Sequence, residues 1–380
     1  MVSAGVCGYW VANARPMLDE STFIRRVYVS PWDNSTYEKH FYSIDWPAFS
    51  RWVCRGVFAV TGRRWQEFDD EHYIFDRQSP SYPGNIRLFD GERAPRGPVY
   101  VVRVVDACFL AMACAAAFFL GMRVVGSALG GLAAGLPFLF HPAAGQWLIG
   151  YIGTDAMLLF WMVAFVALWV RFHLSGTACT ASRVMILAAV AGLAAATKIN
   201  GGLLTVAFAW YLVARGKGRT RFLLAPAFCA VAFLVFVALN PVLWQPGGGG
   251  LVEGMKDIFA RRADVMKNQE FLNPLPPISY FATRWALWPL IGVAGAALYF
   301  VRREEWLVPV SYWAVTVFAG SYFTLNRYDA RLGFPLDAAV IIPTTLATLV
   351  VIRDIIRARR RNGKGAGSTG GAEDGGADGR

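Results

Sequence analysis

The chain has 380 residues, of which 56% are hydrophobic and 17% are charged, and its mean hydropathy is +0.39. Ordinary soluble proteins contain roughly 45–50% apolar and about 25% charged residues. This composition excludes a disordered chain, a nucleic-acid-binding domain and a typical cytosolic enzyme. The net charge of +11 comes from 37 Lys+Arg and 26 Asp+Glu, and much of the excess lies in short basic runs beside apolar segments. Membrane proteins carry Lys and Arg in this way, so we expect an integral membrane protein.

Apolar segments recur along the chain, several of them close to the roughly 20 residues that a bilayer-spanning helix needs. The N-terminal stretch MVSAGVCGYWVA is too short to cross alone, and we interpret it as the end of a further span. The sequence therefore predicts an all-α integral membrane protein, a bundle of about nine to ten transmembrane helices with a large outer loop carrying short amphipathic helices. The predicted spans are 100–122, 126–142, 153–172, 183–198, 201–215, 221–240, 280–301, 306–325 and 334–352.

The distribution of Lys and Arg predicts the orientation. The loop 215–221 (RGKGRTR) and the tail 353–364 are strongly basic, which favours a cytoplasmic location for both. Alternating spans then place 13–99, 241–279 and the turn 326–333 on the outer side. The loop 13–99 is balanced, with 12 Lys+Arg and 12 Asp+Glu, as is typical outside the cytoplasm. We expect a multi-pass protein of the plasma (inner) membrane with a cytoplasmic C-terminus.

Composition also predicts how the chain is divided. Residues 1–362 form one polytopic membrane domain, and the Gly-rich polar tail 363–380 is predicted to be disordered because it cannot bury apolar area. We interpret GGLAAG (130–135) as close helix packing through small residues, since neither a strand nor a phosphate-binding Lys follows it. The six cysteines form no CxxC pair and are expected to be buried free thiols.

The first outer loop carries two candidate functional features. Asp19 and Glu20 follow the N-terminal apolar stretch directly. They either cap a helix, or one carboxylate is a general base that takes a proton from an acceptor hydroxyl. The stretch HFYSIDWPAFSRW (40–52) combines Asp45 and Arg51 with aromatic residues. It is predicted to be an interfacial amphipathic helix, a site element, or both.

Later outer segments carry further candidates. Asp155 lies one turn into a span, where an acid is functional by default, although Thr154 and Asp155 could instead cap the helix. Lys198 ends one span, so we expect it at the outer surface, where it either snorkels or contacts a phosphate. Its partners in a phosphate clamp would come from the outer turn NRYDARLGFP, which also reads as a membrane anchor. That turn contributes Arg327, Tyr328 and Arg331.

In their order and common outer location, these stretches resemble the GT-C membrane glycosyltransferases, the group that includes protein O-mannosyltransferases and lipid A aminoarabinose transferases. Asp19-Glu20 resembles the family's acidic pair, and TDAMLLFW and GLAAATKINGG match its Asp-bearing and Lys-bearing segments. RYDARLGFP resembles an Arg-Tyr-Pro-like segment, and the resemblance covers most of 17–340. DWPAFSRW departs from the family's His-Pro-Pro-Leu-Gly-Lys-like stretch, because Trp46 replaces the His and Ala48 the second Pro.

The resemblance implies a GT-C-like bundle that is a hexosyl- or pentosyltransferase. Its donor would be a sugar on polyprenyl or dolichyl phosphate, and its acceptor a hydroxyl of a lipid, glycan or protein at the outer membrane face, with no role for nucleic acid. Asp19 would be the catalytic base with Glu20 beside it, and the metal dependence of the family varies, so a divalent metal stays open. The residues carried over to substrate binding are Asp45, Arg51, Asp155, Lys198, Arg327, Tyr328 and Arg331.

A second reading stays open, in which a non-catalytic or transport protein binds polyprenyl-phosphate-linked sugars through the same cations. Transporters are expected to place charges near the bilayer midplane and to contain internal repeats. The sequence shows no such repeat, and its candidate acids lie at predicted outer ends of spans. A purely structural membrane subunit would not need these charges on one face.

The acidic pair yields a direct test. Asp19→Asn keeps the size of the side chain but removes its basicity, so we expect it to abolish sugar transfer while folding and membrane insertion are retained. Transfer is measured with a radiolabelled lipid-phosphate sugar, and folding by size-exclusion profile. Wild-type turnover by this variant would remove the catalytic assignment of Asp19.

Overall fold

The apolar segments of the chain form helices that pack against one another. The computed structural model describes residues 11, 48–62, 73–78, 85–89, 96–139, 154–216, 218–244, 251–252, 255–256, 304–324 and 334–366. The 3-10 turn Ile199–Gly202 follows the helix that ends at Thr197, and a second such turn, Pro241–Leu243, follows the helix that ends at Ala238. The principal helices are α1 Ala48–Val60, α2 Arg96–Val125, α3 Ala128–Leu139, α4 Asp155–Leu174, α5 Ala181–Thr197, α6 Leu203–Arg215, α7 Thr220–Ala238, α8 Leu307–Thr324 and α9 Phe334–Ala366.

The helix positions agree with the predicted apolar segments wherever those segments fall in the described ranges. The predicted segment 280–301 lies outside them. Helix α9 is longer than expected, because it continues past 352 and ends at Ala366, beyond the predicted start of the disordered tail at 363. Arginine-rich sequence has good helix propensity, so the helix continues where the apolar run ends. The rest of the tail, 367–380, lies outside the described residues.

Two helical segments are long and apolar enough to cross a membrane, Val99–Val125 with 27 residues and Asp155–Leu174 with 20 residues. They agree with the predicted membrane association. Several further apolar helices are shorter, between 10 and 17 residues, and a span needs about 20. These apolar stretches are Ala128–Leu139 and Ala181–Thr197, the turn and helix Ile199–Arg215, and the parts Phe222–Ala238 of α7 and Leu307–Val317 of α8.

The described part of the predicted first outer loop contains helix α1 and also a β-hairpin. Strands β1 Tyr73–Gln78 and β2 Asn85–Phe89 pair antiparallel, with Asp76 opposite Arg87. The all-α expectation therefore holds for the packed helices but is wrong for these two strands. The segment YIFDRQ begins with β-favouring aromatic and branched residues, and the Pro and Gly residues between the strands are typical of a turn.

Contacts between helix ends define two ends of the bundle. At one end, called the basic end, the Arg353 guanidinium of α9 donates to the carbonyl of Val124 in α2, with a distance of 3.3 Å. His173 of α4 lies there too, 3.1 Å from Glu305, which precedes α8. At the opposite end, called the polar end, the N-termini of α2 and α4 meet the C-termini of α5 and α7. The Trp52 indole of α1 donates to the Leu239 carbonyl after α7 at this end, with a distance of 3.4 Å.

Helices α2 and α3 pack closely through glycines. A Cβ atom on Gly131 would lie 2.7 Å from the Phe118 ring, and one on Gly135 would lie 2.8 Å from the Cys114 carbonyl oxygen. Both contacts are shorter than side-chain atoms tolerate, so larger residues would push the helices apart. The structure therefore confirms the interpretation of GGLAAG as a helix-packing stretch.

A pair of neighbouring glycines after α5 provides a matched test of this packing. A Cβ on Gly201 would collide with the backbone of Ala194 and Ala195, whereas one on Gly202 would meet nothing within 4 Å. We expect Gly201→Ala to lower the free energy of unfolding by about 1–3 kcal/mol and Gly202→Ala to change it by less than about 0.5 kcal/mol. Denaturant unfolding of the full chain in detergent measures both, and equal effects would contradict the packing of Gly201.

Candidate functional site

Buried polar side chains concentrate at the polar end of the bundle. Nine polar or charged residues are buried among those that the structure describes, and only Thr316, in the middle of α8, lies elsewhere. Burying polar groups costs free energy unless they are hydrogen-bonded or paired, so a layer of them in an otherwise apolar bundle requires a reason. The members of this polar layer are Ser50, Arg103, Asp106, Thr154, Asp155, Thr197, Lys198 and Asn240.

The centre of the polar layer is an ion pair between α4 and the residue that follows α5. The Lys198 ammonium donates to Asp155 Oδ1, and the two atoms are 2.5 Å apart. The two side chains are only 10% and 5% exposed. Asp155 lies in the first turn of α4, where the positive end of the helix dipole also favours a carboxylate. The pair joins two segments 43 residues apart in sequence.

The chain positions Lys198 by ending α5 sharply. Lys198 has an extended backbone, with φ −156° and ψ 139°, between the last residue of α5 and the 3-10 turn. Its amide donates to the Ala194 carbonyl at 3.0 Å, and its carbonyl accepts from the Gly201 amide at 2.8 Å. Because Gly201 has no Cβ, the turn packs directly against α5 and fixes where the lysine side chain begins.

Two expectations for this region are wrong. Lys198 does not project at a surface, because it is 8% exposed and paired with Asp155. Thr154 stands at the N-cap of α4 but its side chain forms no capping hydrogen bond, so the Thr154–Asp155 pair is not a side-chain cap. From the sequence, the cost of each charge could be judged only against the surrounding lipid. In the fold, the two charges are paired with one another.

Sequence reasoning overlooked Arg103 and Asp106, which lie one turn apart on α2 and are 3% and 0% exposed. The Arg103 guanidinium donates to the Val11 carbonyl, with a distance of 3.4 Å, and so connects α2 to the N-terminal apolar stretch. The available signal was the pair of opposite charges within the apolar segment 100–122. Charges inside such a segment are functional candidates by default.

Helix α1 covers the polar end. Its residues Ser50, Cys54 and Phe58 follow helical spacing and are buried, whereas Arg55 and Val60 on the other side are exposed. The helix predicted for 40–52 is confirmed only for 48–52, where α1 begins, and 40–47 lie outside the described residues. Helix α1 packs against α2 and the start of α4.

Cys54 has the chemistry of a packing residue. Burial raises the pKa of its thiol well above the usual value, and the nearby Asp106 carboxylate raises it further. The thiol therefore stays protonated and is not a nucleophile. The five described cysteines are free, as predicted. The prediction that they are buried is confirmed for Cys54 and Cys114 but is wrong for Cys108, which is exposed, and for Cys179 and Cys229, which are half-buried.

The remaining sequence candidates divide into two groups. Arg51 lies half-buried on α1, in the same part of the molecule as the polar layer. The others lie outside the described residues: Asp19, Glu20, Asp45, Arg327, Tyr328 and Arg331. Within the described ranges, no group of three or more His, Cys, Asp or Glu side chains is placed to hold a metal ion.

Chemically, the polar layer offers the Lys198 ammonium and the Arg103 guanidinium, with carboxylates beside them, at one end of apolar helices, and the half-buried Arg51 lies nearby on α1. Such cations can bind a phosphate, and such carboxylates can orient the cations or accept a proton. Comparison with protein family models gives no match, and comparison with curated proteins gives none either.

The Asp155–Lys198 pair is open to a double-mutant cycle. Removing one partner leaves a buried uncompensated charge, so we expect Lys198→Met to lower the free energy of unfolding by about 3–5 kcal/mol. The double variant Asp155→Asn/Lys198→Met should recover most of that loss, because no buried charge is left. Denaturant unfolding of the full chain measures both effects.

The exposed Arg219→Gln at the N-cap of α7 is the control for loss of one positive charge. It should change the free energy of unfolding by less than about 0.5 kcal/mol. Additive losses in the double variant would contradict a direct coupling between Asp155 and Lys198.

Proposed function

We propose that this protein is a multi-pass membrane glycosyltransferase that moves a sugar from a polyprenyl- or dolichyl-phosphate carrier to an acceptor hydroxyl. Its site would be the polar end, on the outer, extracytoplasmic side of the plasma (inner) membrane. The observation that carries the proposal is the buried Asp155–Lys198 pair within a layer of polar side chains at one end of apolar helices. The motif order that resembles the GT-C family indicates the donor class.

The exposed surface of the helices supports membrane embedding. Large apolar side chains face outward along several helices, among them Phe119 at 63%, Leu129 at 75%, Leu223 at 72% and Leu234 at 63% exposure. Soluble proteins rarely expose large contiguous apolar patches, whereas the hydrocarbon of a bilayer favours such a surface. The arginines at the end of α9 favour a cytoplasmic basic end, which leaves the polar end outside.

The depth of the polar layer suits a lipid-linked phosphate. The polyprenyl chain of such a donor lies among lipid tails, so its phosphate arrives at the end of the apolar surface rather than in open water. Lys198 and Arg103 are buried there, and Arg51 is half-buried on the covering helix. An ammonium has three N–H donors, of which Asp155 takes one, so Lys198 keeps donors for a phosphate oxygen.

In the proposed reaction the acceptor oxygen bonds to the anomeric carbon, and the bond from that carbon to the phosphate oxygen breaks. The electron pair leaves with the polyprenyl phosphate, whose charge the cations stabilise. The acceptor proton passes to a carboxylate, for which Asp19 is the candidate with Glu20 beside it. Attack opposite the leaving group inverts the anomeric configuration. Candidates that would complete donor binding are Asp45, Arg327, Tyr328 and Arg331.

The proposal is tested with purified protein in lipid and a panel of radiolabelled polyprenyl-phosphate sugars, scoring release of the sugar from its carrier. A membrane extract supplies acceptors. We expect the wild type to release one class of sugar. The double variant Asp155→Asn/Lys198→Met, which leaves no buried unpaired charge, should release it about 10²–10³ times more slowly, because a preorganised cation at the leaving group is lost.

Arg219→Gln is the matched control and should keep wild-type turnover. Unchanged release by the double variant would remove Lys198 from the site. Tight donor binding by the wild type without release, even with the extract present, would instead favour the carrier-binding alternative.

A further inference from the structure

The basic end carries a junction at which α9 is fixed to the end of α2. The Arg353 guanidinium donates to the carbonyls of Val124 and Val125, with distances of 3.3 and 3.4 Å. Its Nε also donates to the neighbouring Asp354 carboxylate, with a distance of 3.0 Å. These bonds satisfy carbonyls at the C-terminal end of α2, which lack partners within their own helix. They therefore hold the part of α9 around Arg353 beside the last turn of α2.

Further arginines surround this junction without being buried. Arg123 lies in the last turn of α2 and is exposed. Arg357 and Arg359, one to two turns beyond Arg353 on α9, are exposed as well. Residues 353–366 contain six Lys+Arg and one acid, Asp354. The junction is therefore strongly positive and open to solvent or to lipid headgroups.

The length and surface of α9 place these arginines at a boundary. The helix has 33 residues, which at 1.5 Å per residue is about 50 Å, whereas the hydrocarbon core is about 30 Å thick. Ile352, Ile355 and Ile356 lie on one face at helical spacing and are 47%, 49% and 48% exposed. The exposed apolar face thus ends where the exposed arginines begin.

We propose that Arg123, Arg357 and Arg359 bind headgroup phosphates of anionic phospholipids in the cytoplasmic leaflet. Arg359 continues the isoleucine face of α9 and would hold a lipid whose acyl chains lie against that face. Arg357 shares the face of Arg353 and lies with Arg123 on the side toward α2. Arg353 positions the two helices and so sets the spacing of Arg123 and Arg357. Guanidinium groups bind phosphate oxygens through paired N–H donors, and the anionic leaflet attracts basic residues at this depth. The inference rests on the membrane embedding in the proposed function but not on sugar transfer.

The test titrates phosphatidylglycerol, and separately phosphatidylcholine, into the purified full chain in neutral detergent, with bound lipid counted by native mass spectrometry. We expect Arg357→Gln/Arg359→Gln to weaken phosphatidylglycerol binding roughly thirty-fold and to leave phosphatidylcholine binding unchanged. Wild-type affinity for phosphatidylglycerol should fall as salt is added. Arg357→Lys/Arg359→Lys should retain most of the binding, which separates loss of charge from loss of fold.

Arg215→Gln/Arg219→Gln is the matched control, because it removes two exposed arginines at the same end, from the α6–α7 turn. Phosphatidylglycerol binding that survives in the Arg357→Gln/Arg359→Gln variant would overturn the site. An equal loss in the control pair would overturn it too, since the attraction would then be a diffuse effect of net charge. Sugar release is not measured in this titration, so failure of the transfer proposal leaves the result unaffected.

Discussion

A carboxylate and an ammonium that leave water together must satisfy one another, and Asp155 and Lys198 do so at the polar end of this bundle. The effective penalty for each isolated charge is several kcal/mol, so the fold must bring the start of α4 to the end of α5. The abrupt end of α5, the extended backbone of Lys198 and the absence of a side chain on Gly201 all serve this contact. Much of the local geometry of the polar end follows from this one pair.

The same constraint explains why polar and apolar groups are distributed as they are. Large apolar side chains lie exposed along the helices, while buried charges gather at one end. The interior is apolar, as in a soluble protein, but large apolar side chains also lie exposed on several helices. This arrangement suits a bundle surrounded by hydrocarbon, whose buried polar side chains are concentrated at one end.

The helices could be predicted from the sequence because a run of apolar residues is a local signal. The pairing of Lys198 could not, because it depends on α4 and α5 lying side by side, and its partner is 43 residues away. Arg103 and Asp106 were not predicted for another reason. An apolar segment is recognised by its mean hydropathy, and two charged residues lower that mean only slightly. The hairpin was missed because short amphipathic helices were the elements expected in the outer loop, and two short strands give only a weak local signal.

Because Lys198 is paired with Asp155, its ammonium would bind a phosphate differently from the ammonium of an exposed lysine. A solvent-exposed lysine would have to lose water and side-chain entropy before it could bind an anion. In this fold Asp155 has already oriented the ammonium and removed most of its water, so the remaining N–H donors are fixed in direction. Fixed donors in a region of low dielectric stabilise a developing negative charge with little reorganisation. The cost is that Asp155 offsets part of the positive charge, so a leaving phosphate would need further cations, of which Arg103 and Arg51 are the described candidates.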